Sequence, residues 1–281
     1  MVYYKQTEVR NFCDTNRLAM PKQQHFLGIK IDDVTYDEAL LQTAAFLRST
    51  SLHQIVTVGP EFLLESRGNA RFADVLNHAD LSVPDGIGLL IIGRLIGKKL
   101  RQRITGIDLT MVLARQADEQ GKSLFLLGGN PGVAESAACA LHARFPTLHI
   151  AGTATFPMFS RDAWNNLSEN KDIIAESERM LETIAKTQPD ILLVAFGAPQ
   201  QDIWIDAFRQ RMPSVHIAMG VGGTFDVLAG NLRRAPATFQ KLGIEWLWRL
   251  FLQPKRIWRI LRATIVFPVT LFIEQSKNQK T

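Results

Sequence analysis

The sequence predicts an α/β protein, with a doubly wound, mostly parallel sheet followed by a helical, basic appendage. Short β-rich runs alternate with helical patterns along most of the 281 residues, an order that builds parallel sheets. Several of these runs, such as "DILLVAF" at 190–196, are continuously apolar, as expected of a strand buried on both faces. Basic residues then accumulate near the end of the chain.

The pattern predicts seven strands and seven helices in Rossmann-like alternation. The strands are expected at 26–31, 54–58, 80–84, 123–128, 149–152, 190–196 and 215–220. The helices are expected at 36–49, 60–77, 86–96, 107–120, 131–144, 161–187 and 199–211. The first helix begins with a capping-box pattern, Thr35 followed three residues later by Glu38.

Composition divides the chain into four segments. We expect an N-terminal extension over 1–25, the α/β domain over 26–236, a basic amphipathic appendage over 237–275 and a polar tail over 276–281. Within the appendage Pro254 is expected to separate two helices. Helical spacing places Ile257, Ile260, Leu261 and Ile265 on one face of the second helix.

The charge is concentrated at one end of the chain. Between Arg233 and Arg262 there are eight Lys and Arg residues and one acid, Glu245, so this segment carries +7 while the whole chain carries +5. The remainder sums to −2, which argues against nucleic-acid binding by the body of the protein. A basic strip with three tryptophans suits nucleic acid, a membrane surface or an anionic substrate, and the charges alone leave these open.

No segment is predicted to cross a membrane. The N-terminus lacks the apolar region of a signal peptide. The longest apolar stretch, at 263–273, contains Pro268 and is shorter than the roughly 20 residues that a spanning helix needs. Cys13 and Cys139 are interpreted as free thiols of a reducing compartment. We therefore expect a cytoplasmic protein that touches a membrane without crossing it.

Polar residues and glycines cluster where predicted strands end, which is where open parallel sheets bind ligands. They are Thr57, Asp85, Gly128, Gly129, Gln201, Asp202, Gly222, Gly223 and Asp226. Each also has an ordinary structural interpretation: the acids and the glutamine as helix caps or solvated groups, and the glycines in tight turns. A glycine loop before a helix also suits phosphate. The residues alone leave both interpretations open.

The sequence indicates no metal and no cofactor. The six histidines form no cluster with ligand spacing, and the two cysteines form no pair. The glycine loop at 128–129 lacks the G-x-G-x-x-G spacing and the acid about 20 residues further on that would hold a ribose, so a nicotinamide site is disfavoured. Neither a D-x-D motif nor a hydrolase nucleophile elbow is present.

Taken together, these loops resemble the WecG/TagA/CpsF family of bacterial glycosyltransferases, glycosyltransferase family 26. The resemblance covers about residues 26 to 262, in the family's order and spacing. The matching motifs are Thr57 with Pro60 and Glu61, "PDG" at 84–86, "RITGIDL" at 103–109, "FLLGG" at 125–129, "PDILLVAFGAPQQDIWI" at 189–205, "GVGGTFDVLAGNLRRAP" at 220–236 and "EWLWRLFLQPKRIWR" at 245–259.

This resemblance implies a reaction. Family members move a sugar, commonly N-acetylmannosamine or its uronic acid, from a UDP-sugar onto a polyprenyl-diphosphate-linked sugar. They invert the anomeric centre without a metal, and their products are precursors of teichoic acid, common antigen or capsule. The resemblance therefore implies a peripheral enzyme on the cytoplasmic face of the inner membrane, with no cofactor and no nucleic-acid partner. The sequence does not decide whether it is a homo-oligomer.

The resemblance also assigns roles to residues. Asp85 is implied to be the general base that deprotonates the acceptor hydroxyl, a contribution of ~10²–10⁴-fold. Thr57 and Gln201 match polar positions of the same pocket, and Arg103 matches the arginine before the family's "TG". Arg249, Arg256 and Arg259 match appendage arginines that meet the leaving diphosphate. Further contacts to substrate are expected from Gly128, Gly129, Gly222, Gly223 and Asp226.

The chain departs from the family's pattern at three places. Gly59 stands where the family usually has asparagine, residues 155–159 read "TFPMF" where it has "GYF", and Asp202 replaces the glutamate of its "PKQE". The first two departures suggest a different donor sugar or acceptor. The Gly59 departure also leaves open a second function, a non-catalytic nucleotide-sugar-binding module on the same fold, which would bind a UDP-sugar without turnover.

Overall fold

The computed structural model describes residues 21–160, 163–164, 166–241, 243–254 and 257–278. Within these ranges it leaves undescribed the side chains of Ala237, Lys241, Arg249, Arg259, Gln275, Lys277 and Asn278. The strands are β1 (Lys22–Phe26), β2 (Ile29–Asp33), β3 (His53–Val58), β4 (Leu81–Pro84), β5 (Ser123–Gly128), β6 (His149–Ala154), β7 (Ile191–Ala195) and β8 (Ile217–Gly220).

The helices of the body are α1 (Tyr36–Phe46), α2 (Pro60–Ser66), α3 (Ala70–His78), α4 (Ile87–Leu95), α5 (Gly106–Gln120), α6 (Val133–Arg144), α7 (Lys171–Thr187), α8 (Gln200–Phe208) and α9 (Thr224–Leu228). The appendage contains α10 (Ala237–Lys241), α11 (Glu245–Leu252), α12 (Ile257–Leu261), a π-helical segment (Arg262–Val266) and α13 (Phe267–Asn278).

Six strands form one parallel sheet in the order β4-β3-β8-β7-β5-β6. All of its pairings are parallel, with Ile55 opposite both Leu81 and Met219, and Leu126 opposite Leu193. Helices flank the sheet, which confirms the predicted doubly wound α/β class. The parallel arrangement brings the carboxyl ends of all six strands to one edge.

The sheet is covered on both faces. Along β5, Phe125 and Leu127 pack into one core layer, while Leu124 and Leu126 pack into the other. The alternation follows from the two-residue period of a strand, and all six residues of β5 are buried. A strand of this kind needs apolar residues on both sides, which is why it was recognisable from a continuous apolar run.

Turns and caps shift several predicted boundaries. The run predicted as one strand at 26–31 is instead a hairpin, with Leu27 and Gly28 at φ of +50° and +79° between β1 and β2. The helix predicted at 60–77 is interrupted, because the Asn69 side chain caps a new helix at the N–H of Phe72. The predicted capping box of Thr35 and Glu38 is confirmed.

The appendage is anchored to the body at both ends. Gly243, at φ +71°, lies against Ile87 of α4, where an added Cβ would come within 2.8 Å of the isoleucine side chain. Phe267 and Leu271 of α13 are buried in the main core. In the described part of the chain no helix is long and apolar enough to cross a membrane.

The appendage tryptophans have different environments. Trp248 packs against Phe239, with ring centroids 5.8 Å apart, and its Nε1 donates to the carbonyl of Arg233. Trp258, by contrast, is 75% exposed. Other large apolar side chains of the appendage are also exposed: Phe251, Leu252, Ile257, Ile265, Val266, Val269, Phe272 and Ile273. The appendage therefore presents an apolar surface to solvent as well as packing on the body.

Candidate active site

A cavity of about 600 Å³ opens at the carboxyl ends of β4, β3, β8 and β7. The loop after each of these strands contributes to its lining, with Asp85 after β4, Thr57 at the end of β3, Gly222 after β8 and Gln201 after β7. Appendage residues, among them Glu245 and Ile260, line its other side. The volume lies within the range of about 300–1,000 Å³ usual for small-molecule sites.

Asp85 is held at the end of its strand by backbone hydrogen bonds. Its N–H donates to the carbonyl of Val58 over 2.9 Å, which continues the pairing of β3 with β4. Its half-buried carboxylate accepts from the N–H of Gly106 over 3.3 Å. Helix α4 begins after Gly86, which makes no side-chain cap. The N-cap position of α4 is thus Gly86 and not Asp85, whose carboxylate meets the first residue of α5 beside the cavity.

Gly59 packs directly on the backbone of Asp85. A Cβ at this position would lie 2.8 Å from the Asp85 carbonyl oxygen, closer than real Cβ contacts allow. The residue is extended, with φ −108° and ψ 175°, so the requirement for glycine comes from space and not from backbone conformation. The departure from the family's asparagine therefore accompanies a tight contact between the loops after β3 and β4.

Gln201 ties two loops together under the cavity. Its Oε1 accepts from the N–H of Gly197, over 3.2 Å, and from the N–H of Gly222, over 3.0 Å. The side chain is almost fully buried, and Gly220 leaves the space for it, since a Cβ there would lie 2.4 Å from Nε2. Gln201 thus fixes the ends of β7 and β8 relative to each other.

Asp202 is a fully buried carboxyl group beneath the same loops. Neither of its oxygens makes a hydrogen bond of normal geometry within the described part of the chain. Burial in this environment raises the pKa of Asp202 to about 7. The side chain does not cap α8, whose N-cap is Pro199 without a side-chain hydrogen bond. A buried acid with a raised pKa below a cavity is common at functional sites.

Arg103 lines the cavity and pairs with the appendage. Its Nη2 donates to the carboxylate of Glu245, and both side chains are less than one-fifth exposed. Behind this pair, Arg234 donates to Asp108 over 2.5 Å, and Asp108 also accepts from the hydroxyl of Thr105. A chain of charged groups therefore joins the loop before α5 to the first turn of α11.

The structure brings six of the predicted site residues together in the cavity lining: Thr57, Asp85, Arg103, Gln201, Gly222 and Gly223. Gly128, Gly129 and Asp226 lie outside the lining formed by the described residues. The N–H of Gly129 donates to the carbonyl of Ala195, which occupies the donor that a phosphate would need. A substrate-binding role for these three residues stays a prediction.

Arg256 and the side chains of Arg249 and Arg259 lie outside the described residues, so their predicted contact with diphosphate also stays a prediction. Sequence reasoning missed Glu245 and Trp246 as lining residues. One signal was present for Glu245, because it is the single acid in the basic segment from Arg233 to Arg262. An acid retained among eight basic residues usually has a specific partner.

Comparison with known proteins identifies the family. Residues 24–281 match the model of the glycosyl transferase WecG/TagA/CpsF family. An N-acetylglucosaminyldiphosphoundecaprenol N-acetyl-beta-D-mannosaminyltransferase of Bacillus spizizenii is 35% identical over 228 residues, which cover 79% of this chain and 82% of the relative. Proteins of the same name are 30% identical in Bacillus subtilis, covering 81% of each chain, and in Staphylococcus aureus, covering 83% and 86%. The chain belongs to this family and is a glycosyltransferase.

Replacing Gly59 tests the contact between the two strand ends. Gly59→Ala should lower the free energy of unfolding by about 1–3 kcal/mol, because the new Cβ overlaps the carbonyl oxygen of Asp85. Denaturant unfolding measures the change. Gly68→Ala is the matched control, since its Cβ would meet nothing closer than 3.9 Å. Equal stability of the two variants would contradict the tight contact.

The pKa of Asp202 predicts a pH dependence of stability. The folded state holds the Asp202 proton more tightly than the unfolded state does, so this group's contribution to stability falls as the pH rises from about 4 to about 7. Asp202→Asn removes that titration. The variant should therefore gain up to about 3 kcal/mol relative to the wild type between pH 5 and pH 8. A stability difference that does not change with pH would contradict the raised pKa.

Proposed function

We propose that this member of the WecG/TagA/CpsF family transfers a sugar from a UDP-sugar to a sugar carried on a polyprenyl diphosphate, with inversion and without a metal. The sugar is N-acetylmannosamine, its uronic acid or a related hexose. The product belongs to a bacterial surface polysaccharide or teichoic acid. The names of the relatives, which specify N-acetylmannosaminyl transfer to N-acetylglucosaminyl-diphosphoundecaprenol, support an acceptor of this class.

The observation that supports the proposal is that Asp85 lines the cavity together with Thr57 and Gln201. In the proposed reaction Asp85 takes the proton of the acceptor hydroxyl, and the oxygen attacks the anomeric carbon of the donor. The bond from that carbon to the diphosphate breaks, and UDP leaves with the electron pair. A single displacement of this kind inverts the anomeric centre. The Gly106 N–H keeps the base in position.

The leaving diphosphate needs positive charge. Guanidinium groups bind phosphate oxygens through paired N–H donors and can stabilise the charge that develops on UDP. Arg103 lies in the cavity lining. We propose that Arg249, Arg256 and Arg259 supply the remaining charge from the appendage, so that the appendage closes the site over the diphosphate.

The proposed acceptor also needs a membrane surface. Ile91 of α4 and Ile260 of the appendage line the same cavity, and Ile91 is 52% exposed. Exposed apolar side chains continue along the appendage through Trp258 and Phe251, within a segment of +7 charge. Basic residues beside inserted apolar ones favour an anionic bilayer, at about 1 kcal/mol per charge near the surface. We therefore propose peripheral binding to the cytoplasmic face of the inner membrane.

The first test is UDP release from a panel of UDP-sugars, with and without polyprenyl-diphosphate-linked N-acetylglucosamine. Wild type should release UDP in an acceptor-dependent way that survives a chelator. Asp85→Asn should lose ~10²–10⁴-fold in turnover while its Kd for UDP changes little, because the base acts only in the transfer step. Asp74→Asn, an exposed acid on α3, is the matched control.

Near-normal turnover by Asp85→Asn would remove Asp85 as the base. Binding of UDP without release from any donor, whatever the acceptor, would instead favour the nucleotide-sugar-binding module.

Exposed appendage side chains test membrane binding. Changing Phe251 and Trp258 to serine should weaken retention on vesicles containing anionic lipid by roughly tenfold per residue, since each loses the burial of a large apolar side chain. Folding should be unaffected, because the two side chains are 74% and 75% exposed. Met158→Ser, at an exposed position outside the appendage, is the control. Unchanged co-sedimentation with vesicles would place the membrane contact elsewhere.

A further inference from the structure

Glu245 brings a negative charge into the cavity from the appendage. It is the first residue of α11, and its carboxylate contacts the guanidinium of Arg103, the arginine predicted for the site. Of the four ionisable residues in the described lining, three are acids, namely Glu61, Asp85 and Glu245, and one is Arg103. Arg103 is therefore the only cation of the described lining that a diphosphate can meet, and Glu245 is already paired with it.

The Glu245 carboxylate lies between two guanidinium groups but satisfies only one of them. One of its oxygens contacts Nη2 of Arg103, while the other lies 3.9 Å from Nε of Arg234, too far for a hydrogen bond. That Nε is buried and has no hydrogen-bond partner in the described part of the chain. A buried donor without a partner is unfavourable, because it has lost its hydration and gained no hydrogen bond in return. The Glu245 carboxylate therefore leaves one buried hydrogen-bond donor of Arg234 without an acceptor.

A phosphate group would suit the same position better than a carboxylate does. A substrate diphosphate has four non-bridging oxygens and two negative charges across its two phosphate groups, in place of the carboxylate's two oxygens and one charge. The tetrahedral arrangement at each phosphorus allows these oxygens to face two guanidinium groups at once, and arginine binds phosphate through paired N–H donors. Such a group would pair with Arg103 and also reach the unsatisfied Nε of Arg234. Neither arginine would then depend on Glu245.

We propose that Glu245 occupies a phosphate subsite formed by Arg103 and Arg234, and that the substrate's diphosphate displaces it. This subsite rests on the proposed function, because it takes a diphosphate as its ligand. Glu245 neutralises Arg103 while the cavity holds no substrate. When a phosphate enters, it takes over both guanidinium groups, and the Glu245 side chain turns away. Arg234 lies behind Glu245 and outside the lining, so only this exchange brings it into contact with substrate.

Removing the charge of Glu245 tests the exchange. Glu245→Gln should bind UDP and inorganic pyrophosphate about tenfold more tightly than the wild type in calorimetric titrations, because the competing carboxylate and its repulsion are gone. Glu135→Gln, at an exposed acid on α6, removes the same charge and should leave the Kd unchanged. Unchanged or weaker binding to Glu245→Gln would overturn the proposal and make Glu245 a support for Arg103.

A second pair of variants keeps the test valid even if Glu245→Gln loosens the appendage. Arg234→Gln should weaken UDP and pyrophosphate binding about tenfold although Arg234 lies outside the lining, whereas Arg233→Gln, at the exposed neighbour, should not. Equal affinities of these two variants would overturn the subsite. Titration with geranyl diphosphate identifies which substrate supplies the phosphate. If Glu245→Gln binds UDP more tightly but not geranyl diphosphate, the subsite holds the diphosphate of the donor. If it binds geranyl diphosphate more tightly but not UDP, the subsite holds the diphosphate of the acceptor.

The two proposals fail separately. Tighter pyrophosphate binding to Glu245→Gln, without transfer from any nucleotide sugar, would support the subsite and contradict the proposed function. Asp85-dependent transfer in the wild type, without any gain in affinity on Glu245→Gln, would overturn the subsite alone.

Discussion

The contact between Gly59 and the carbonyl of Asp85 fixes the geometry on which the candidate site depends. Because no side chain fits between them, β3 and β4 can end side by side with their loops in direct backbone contact. That contact sets the position of the Asp85 carboxylate, which the Gly106 N–H then orients. Gly220 has a similar role at the end of β8, where its missing side chain makes room for Gln201. The floor of the cavity is therefore built from closely packed backbone, a stiff support for the side chains of the candidate site.

Directly below this floor lie buried polar atoms that have no hydrogen-bond partner among the described residues. Asp202 is fully buried, and its backbone carbonyl accepts from Nε2 of Gln54, whose own Oε1 lacks a partner in the described chain. Such groups reduce stability, since each buried polar atom without a partner has lost its hydration. They lie next to Gln201, which joins the loops after β7 and β8. These groups lower the stability of the protein at the point where the loops after β7 and β8 converge, a compromise that functional sites commonly show.

The appendage places side chains in three different environments within a short segment. Phe267 and Leu271 attach it to the core, Glu245 enters the cavity, and Trp258 faces solvent. A glycosyltransferase that acts on a lipid-linked acceptor requires these surfaces close together, because the reacting sugar and the bilayer are separated only by the acceptor's diphosphate. If Glu245 exchanges with that charge or with the donor's, occupation of the site also changes how the appendage is held.

The sequence by itself determined the fold class, since continuous apolar strands alternating with helices can bury both faces of a sheet only in a parallel α/β arrangement. It also predicted that Asp85, Thr57 and Gln201 lie near one another, as they do in the cavity lining, because polar residues after buried strands gather at one edge of the sheet. The sequence did not indicate the hairpin turn at Leu27, because it has no strong turn signal there. It also did not show that Gly59 packs on the backbone of Asp85, because nothing in the local pattern distinguishes it from an ordinary loop glycine. The pairing of Glu245 with Arg103 joins residues 142 positions apart. Only the tertiary structure decided that contact, because it depends on where the appendage packs, and packing between distant segments leaves no local pattern in the chain.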